Sequence, residues 1–254
     1  MTDHAFTRAG ALIRATELAA GPWDARLQHG GAPSSLATWA AEQVPTSAPM
    51  RIARVTVDLM RPVPVADLAL ETTVLREGRK IQLVQVRLSN GDAEVARALV
   101  LKVRTVDQPL PASMLPPLDA PAPEQVEATG VGLRSGARNF GANFDIRRIR
   151  GGFADHGPGQ VWFHQHRPLI EGEPLSPAMR AVAVADFSNG ISARLPFEDL
   201  HQRRPDRQPS ARAAGRVDLL GRRHLGLTRR HRLRHNPLGR PRRLFRPRHP
   251  IADP

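Results

Sequence analysis

Asp186 is the only carboxylate in an otherwise apolar run, Ala181-Val182-Ala183-Val184-Ala185-Asp186-Phe187-Ser188-Asn189-Gly190. A charge carried into such a run is costly unless it has partners or a task. It could take a proton from a water molecule, cap a helix, or make a buried hydrogen bond. A second pair of interest is Gly30-Gly31, which opens a stretch with helical spacing. The first amides of a helix have no intrahelical acceptor, and the positive end of the helix dipole lies there. Glycine also lets a ligand approach the backbone closely. A carbonyl under attack by water needs such a donor pair and an activated water. The same two glycines serve equally well as a plain helix start with tight packing.

Other candidates are weaker. His164 and His166 alternate on a strand-like run, so both could face one metal, but no third ligand is evident and solvated or stacking histidines explain them. Gly130-Val131-Gly132 through Gly136 has dinucleotide-loop spacing without a strand–turn–helix around it. Ser34 and Ser35 fall at the helix start, where capping or small-residue packing explains them. No Gly-x-Ser-x-Gly elbow and no phosphate-binding P-loop occurs. Cysteine is absent, which excludes disulfides, thiolate nucleophiles and Cys-based zinc sites.

These residues need elements to position them. A strand is expected near Ala11 to Thr16. A helix follows, started by Gly30 and Gly31 with Pro33 in its first turn. Leu36, Trp39, Ala40 and Val44 share one of its faces, and its Ala and Ser content suits a closely surrounded helix. Four strand-like runs come next: RIARVTVDLM, DLALETTVL, KIQLVQVRLS and AEVARALVLKVRTV. In the third, Ile81, Leu83, Gln85 and Arg87 occupy one face, and Val84, Val86 and Leu88 the other. Turn signals separate the runs, and short connections favour an antiparallel meander. Residues 107–127 are Pro-rich without a period and read as a linker. Then the order restarts with strand-like ANFDIRRIR and QVWFHQHRPL, followed by a helix-like PLSPAMRAVAVADFSNGISARL. An Ala-rich helix is the natural cover for one face of such a sheet, and two of these units side by side would make one long sheet with two helices.

Charge is distributed unevenly. The net charge of +13 over 254 residues lies entirely in residues 201–254, which hold sixteen Arg, no Lys and three Asp. Residues 1–200 balance 21 basic against 21 acidic side chains. No apolar run approaches the ~18 residues that span a bilayer. The first residues lack the basic-then-apolar layout of a secretory leader. A cytoplasmic location with no membrane partner is expected.

Residues 22–104 resemble the N-terminal half of bacterial type II acyl-CoA thioesterases, above all their actinobacterial branch. The matching residues are Trp23, Gln28-His29-Gly30-Gly31, Arg61-Pro62-Val63-Pro64 and Arg76-Glu77-Gly78-Arg79. Residues 139–197 are similar to the second half through Trp162, Pro168-Leu169, Glu171-Gly172-Glu173, Ser176-Pro177 and Ala185-Asp186-Phe187-Ser188-Asn189-Gly190. The resemblance implies an α+β double hot-dog, in which antiparallel sheets wrap around long central helices. It implies hydrolysis of acyl-CoA to carboxylic acid and CoA, without metal or other cofactor. It also implies Asp186 as the group that activates water, and His29, Gly30, Gly31, Asn189 and Gly190 as substrate-binding residues. The helpers of the aspartate, a hydroxyl- or amide-bearing residue and a glutamine, belong to later strands and have no counterpart here.

The resemblance stops after Asp199. Degenerate codons from Leu200 onward, read one base later, permit Phe-Ile-Asn-Ala-Asp-Leu-Thr-Val-Asn, a strand of the family's kind. Gly215-Arg216-Val217 likewise permits Gly-Glu-Trp. A G+C-rich gene read out of frame yields Arg, Pro, Gly and Ala without Lys, as seen here. The expected organisation is a hot-dog over 1–106, a linker over 107–127, the start of a second, incomplete hot-dog over 128–199, and an out-of-frame, disordered tail over 200–254. Activity of this chain is expected to be impaired. Two other readings compete: a hot-dog that binds acyl thioesters without hydrolysing them, and a nucleic-acid binder acting through the Arg-rich tail. Against the latter, only Phe245 interrupts the tail's arginines with an aromatic ring. Nucleic acid is therefore not an expected partner, and self-assembly into a homo-oligomer is compatible with the sequence.

Overall fold

The computed structural model describes residues 3–107, 109, 119–129, 138–153, 155 and 157–192, together with the backbone of 217–218. The Gly130–Gly136 stretch and the predicted disorder of the tail lie outside the described residues.

The period-two runs become long strands: β3 (Met50–Leu59), β4 (Asp67–Glu77), β5 (Ile81–Asn90) and β6 (Ala93–Arg104). On β5 the alternation decides the face, with Val84, Val86 and Leu88 buried and Ile81, Leu83, Gln85 and Arg87 half-buried. The strands join β1 (Phe6–Ala9) and β2 (Leu12–Ala15) in one sheet, ordered β1-β2-β4-β5-β6-β3-β9, where β9 is Val217–Asp218. Every pairing among them is antiparallel. The meander expectation needs one correction. β3 does not pair with β4 but crosses to the far side of β6, with Val55 opposite Val100. The connection through Arg61-Pro62-Val63-Pro64 is long enough for this. It is also held elsewhere, because Val65 N–H donates to the Arg26 carbonyl and Gln28 N–H to the Val63 carbonyl. The predicted strand at Ala11–Thr16 is present, and its hairpin partner β1 was missed.

Helix α1 (Gly31–Glu42) lies across β3–β6, and ten of its twelve residues are buried. Such burial requires a cover on the side away from the sheet. Helix α2 (Pro177–Ala185) provides it. The two helices run antiparallel: Gly31 faces Ala183, and Ser35 Oγ approaches the Met179 carbonyl at 3.4 Å. Small side chains along α1 permit this separation, as its Ala and Ser content predicts. The second predicted helix is shorter than its pattern. It breaks at Asp186-Phe187 and resumes as α3 (Ser188–Ile191).

Strands β7 (Phe144–Arg150) and β8 (Gln160–Gln165) form a separate antiparallel pair. Part of the predicted linker is tied to them. Trp162 Nε1 donates to the Pro121 carbonyl, and Arg147 to those of Pro123 and Val126. The second unit also joins the first sheet's edge, where Phe6 N–H donates to Leu169 and Glu171 N–H returns to Phe6. One hydrophobic core contains Leu36, Val84 and Val100 alongside Phe140, Leu169 and Val182. This is an α+β hot-dog arrangement, a large antiparallel sheet around an enclosed helix. Among the described residues the second unit contributes two strands and its own helix.

Candidate active site

The N-terminus of α1 meets the C-terminus of α2. Gly30 caps α1 without help from a side chain. Asp186 caps α2 and brings its carboxylate over the Gly30 Cα, so that a methyl group there would stand 2.8 Å from Asp186 Oδ2. Gly31 is tighter still: a methyl group would fall 2.4 Å from the Ala183 carbonyl oxygen. The glycines therefore serve two close approaches, one helix–backbone and one carboxylate–backbone. Of the two sequence expectations for these glycines, the geometry bears out close packing.

The carboxylate differs from its predicted setting in one respect. Its side chain is 41% exposed, because it leaves the helix at the cap instead of lying along the buried face. Burial cost therefore does not account for it. Position accounts for it instead: Asp186 Oδ2 lies 3.4 Å from His29 Nδ1. The His29 side chain is largely enclosed, 11% exposed, and stacks against two rings, Phe187 with centroids at 4.3 Å and Phe140 at 5.1 Å. Burial pushes the imidazole pKa below its ordinary value, and the Asp186 charge partly offsets this. Gly31 N–H donates to the same Nδ1 at 3.1 Å. The amide of Gly31 is thus turned toward the histidine. The N–H of Gly30 makes no hydrogen bond among the described residues, and it is the free donor at this helix end.

Of the predicted site residues, the fold gathers His29, Gly30, Gly31 and Asp186 into one cluster, although the first three are far from the last in sequence. Asn189 and Gly190 follow on α3. Asn189 is exposed, and its side chain makes no hydrogen bond among the described residues; Gly190 is buried. The aromatic cluster against His29 was missed. Five of the eight Phe residues, Phe140, Phe144, Phe153, Phe163 and Phe187, form one network that reaches His29 through Phe140 and Phe187. Their clustering after residue 139 was the available signal.

His164 and His166 do share a face. Asp145, opposite His164 on β7, lies 3.4 Å from His164 Nδ1 and 3.5 Å from His166 Nδ1. Among the described residues no group of three or more His, Asp or Glu is arranged to hold a metal ion. Ser34 and Ser35 donate to the carbonyls of Gly30 and Gly31, as packing residues at the helix start do. Among the described residues no helix is long and apolar enough to cross a membrane.

Residues 19–103 match the family described as acyl-CoA thioesterase N-terminal domain. No curated protein matches the sequence. Among solved structures, a hot-dog protein of unknown function from Alicyclobacillus acidocaldarius is similar with a TM-score of 0.58 and 18% identity, over 76% of this chain and 71% of that one. A candidate thioesterase from Novosphingobium aromaticivorans gives 0.53 and 22% over 72% and 71%. A candidate thioesterase II from Thermobifida fusca gives 0.51 and 13% over 77% and 71%. The family match is confined to residues 19–103, and the structural similarity is to proteins with the hot-dog fold.

Proposed function

We propose that this chain hydrolyses acyl-CoA thioesters to a free carboxylic acid and CoA. One observation carries the reading: a partly exposed carboxylate from the end of one helix lies against the free amide end of another. In the proposed reaction the thioester carbonyl accepts a hydrogen bond from Gly30 N–H, and the positive end of α1 stabilises charge developing on its oxygen. Asp186 takes a proton from water as the water oxygen bonds to the carbonyl carbon. The tetrahedral intermediate collapses, the C–S bond breaks, and the CoA sulfur leaves with that proton. Acid and thiol are the only products, and the proton count closes without a further reactant. The family match over residues 19–103 supports an acyl-CoA substrate.

The Arg-rich sequence after Asp199 belongs to the same proposal as an out-of-frame segment. It lies outside the described residues, apart from the backbone of 217–218. The coding DNA near codon 200, translated one base later, should return an alternating apolar pattern. Thiol release from acyl-CoAs of several chain lengths tests the activity, in this chain and in its frame-restored counterpart, with the latter expected to be faster. Asp186→Asn should lower kcat by about 10²–10⁴-fold with little change in KM. Acyl-CoA binding without thiol release in both chains would replace hydrolysis by a non-hydrolytic binding role.

A further inference from the structure

We propose that His29 is a positioning residue whose Nδ1 serves either the Gly31 amide or the Asp186 carboxylate, and never both. The inference rests on the proposed hydrolysis for its consequence, but its geometry is independent of it. An imidazole nitrogen has one in-plane direction, filled by a lone pair or by an N–H. Gly31 N–H donates to Nδ1 at 3.1 Å, so the lone pair is there and the ring's proton is on Nε2. Asp186 Oδ2 waits 3.4 Å from that same nitrogen with nothing to accept from it. A proton arriving on Nδ1 reverses both contacts. The Gly31 amide loses its acceptor, and Asp186 gains a charged donor.

Turning the ring does not let it serve both, because Nδ1 is a single nitrogen. Phe187 and Phe140, themselves stacked with centroids 6.1 Å apart, lie against the ring at interplanar angles of 29° and 23°. Protonation of Nδ1 is what exchanges one partner for the other. Among the described residues around the ring, Asp186 at the end of α2 is the one charge whose influence on it is resolved. The turn Phe140–Asn143 and the start of α1 bring neutral groups. Burial opposes the added proton and Asp186 favours it, so the two influences act in opposite directions. With His29 neutral, Asp186 is free to address water. With His29 protonated, the carboxylate is occupied, and hydrolysis is lost on the acid side through the histidine.

The first test needs no catalysis. Long-range proton–nitrogen correlation on the full chain, labelled in histidine and glycine, reads the tautomer and the Gly31 amide together. The expected result is a neutral Nε2–H ring, a Gly31 amide shift that follows the ring's titration midpoint, and a lower midpoint in Asp186→Asn. An Nδ1–H tautomer at neutral pH overturns the proposal, as does a Gly31 amide that ignores the titration. A ring that stays neutral until acid unfolding also overturns it. The second test uses kcat. His29→Asn, which can place an oxygen near Nδ1 but cannot titrate, should lose one ionisation from the acid limb. It should also exceed His29→Phe by about tenfold in kcat at unchanged KM. An unaltered acid limb in His29→Asn overturns the role. Absence of thiol release in both the unmutated chain and its frame-restored counterpart would remove the hydrolytic reading and leave the resonance test intact.

Discussion

A methyl group added at Gly30 and one added at Gly31 meet different obstacles. At Gly31 it collides with backbone, the Ala183 carbonyl oxygen at 2.4 Å, with Phe140 at 2.9 Å beside it. Neither the helix nor the fully buried Phe140 ring can withdraw cheaply. Gly31→Ala should therefore destabilise by about 1–3 kcal/mol, through overpacking of α1 against α2. At Gly30 the obstacle is the far end of a side chain, the Asp186 carboxylate at 2.8–3.2 Å. That group is partly exposed and can swing away, so Gly30→Ala should cost little stability and much activity. Thermal unfolding and thiol release, measured on both variants, separate the two. A Gly30→Ala protein with normal kcat would detach Asp186 from the reaction. Much of this was legible beforehand, since a glycine pair at a helix start and a carboxylate in an apolar run both announce themselves. The ring contacts of His29 were not, because Phe140 and Phe187 reach it only through the tertiary fold.

Strands and helices were legible to different degrees. The faces of β5 follow from alternation alone, because a side-chain period of two leaves no other choice. The place of β3 in the sheet did not follow from it. Alternation fixes which face of a strand is buried and is silent on which neighbour it takes, and β3 found β6 across the sheet. The length of α2 was overestimated, because Ala and Val continue to Ala185 while the chain turns at Asp186 and Phe187 to bring both side chains to His29. The start of α2 is better specified. Ser176 Oγ accepts from Met179 N–H at 3.0 Å, with Pro177 at the first helical position. The half-buried carboxyl of Glu42 at the end of α1 is pushed above its ordinary pKa by burial, with Ser176 and the Lys102 charge acting against the shift. Both helices thus share one polar residue at the end opposite Asp186. Ser176→Ala should cost about 1 kcal/mol for the lost cap, a fall of about 2–4 °C in Tm for a chain of this size. An unchanged Tm would mean that the α1–α2 pair is set by packing alone.

At the scale of the molecule, the boundary drawn through the Pro-rich stretch separates two sequence patterns that share one interior. Leu36 on α1 and Val182 on α2 belong to the same core, and the 169–171 segment closes the β1 edge. Asn143 adds a polar tie, donating to the carbonyls of Leu18 and Phe140. An α1 stripped of α2 would present Gly31, Ser35 and their neighbours to water, and the site would lose Asp186 altogether. The two sequence units should therefore behave as one folding unit. A single protease cut between residues 108 and 118 leaves every one of these contacts in place. The two fragments should then elute together under native conditions and unfold in one transition. They should part only in denaturant, where the shared core is lost. Fragments that separate in native buffer, each keeping its own cooperative melt, would show that the helix pair is a loose docking and not the centre of the fold. The carboxylate would then meet the amide end of α1 only part of the time, and kcat should fall on cleavage by the same fraction.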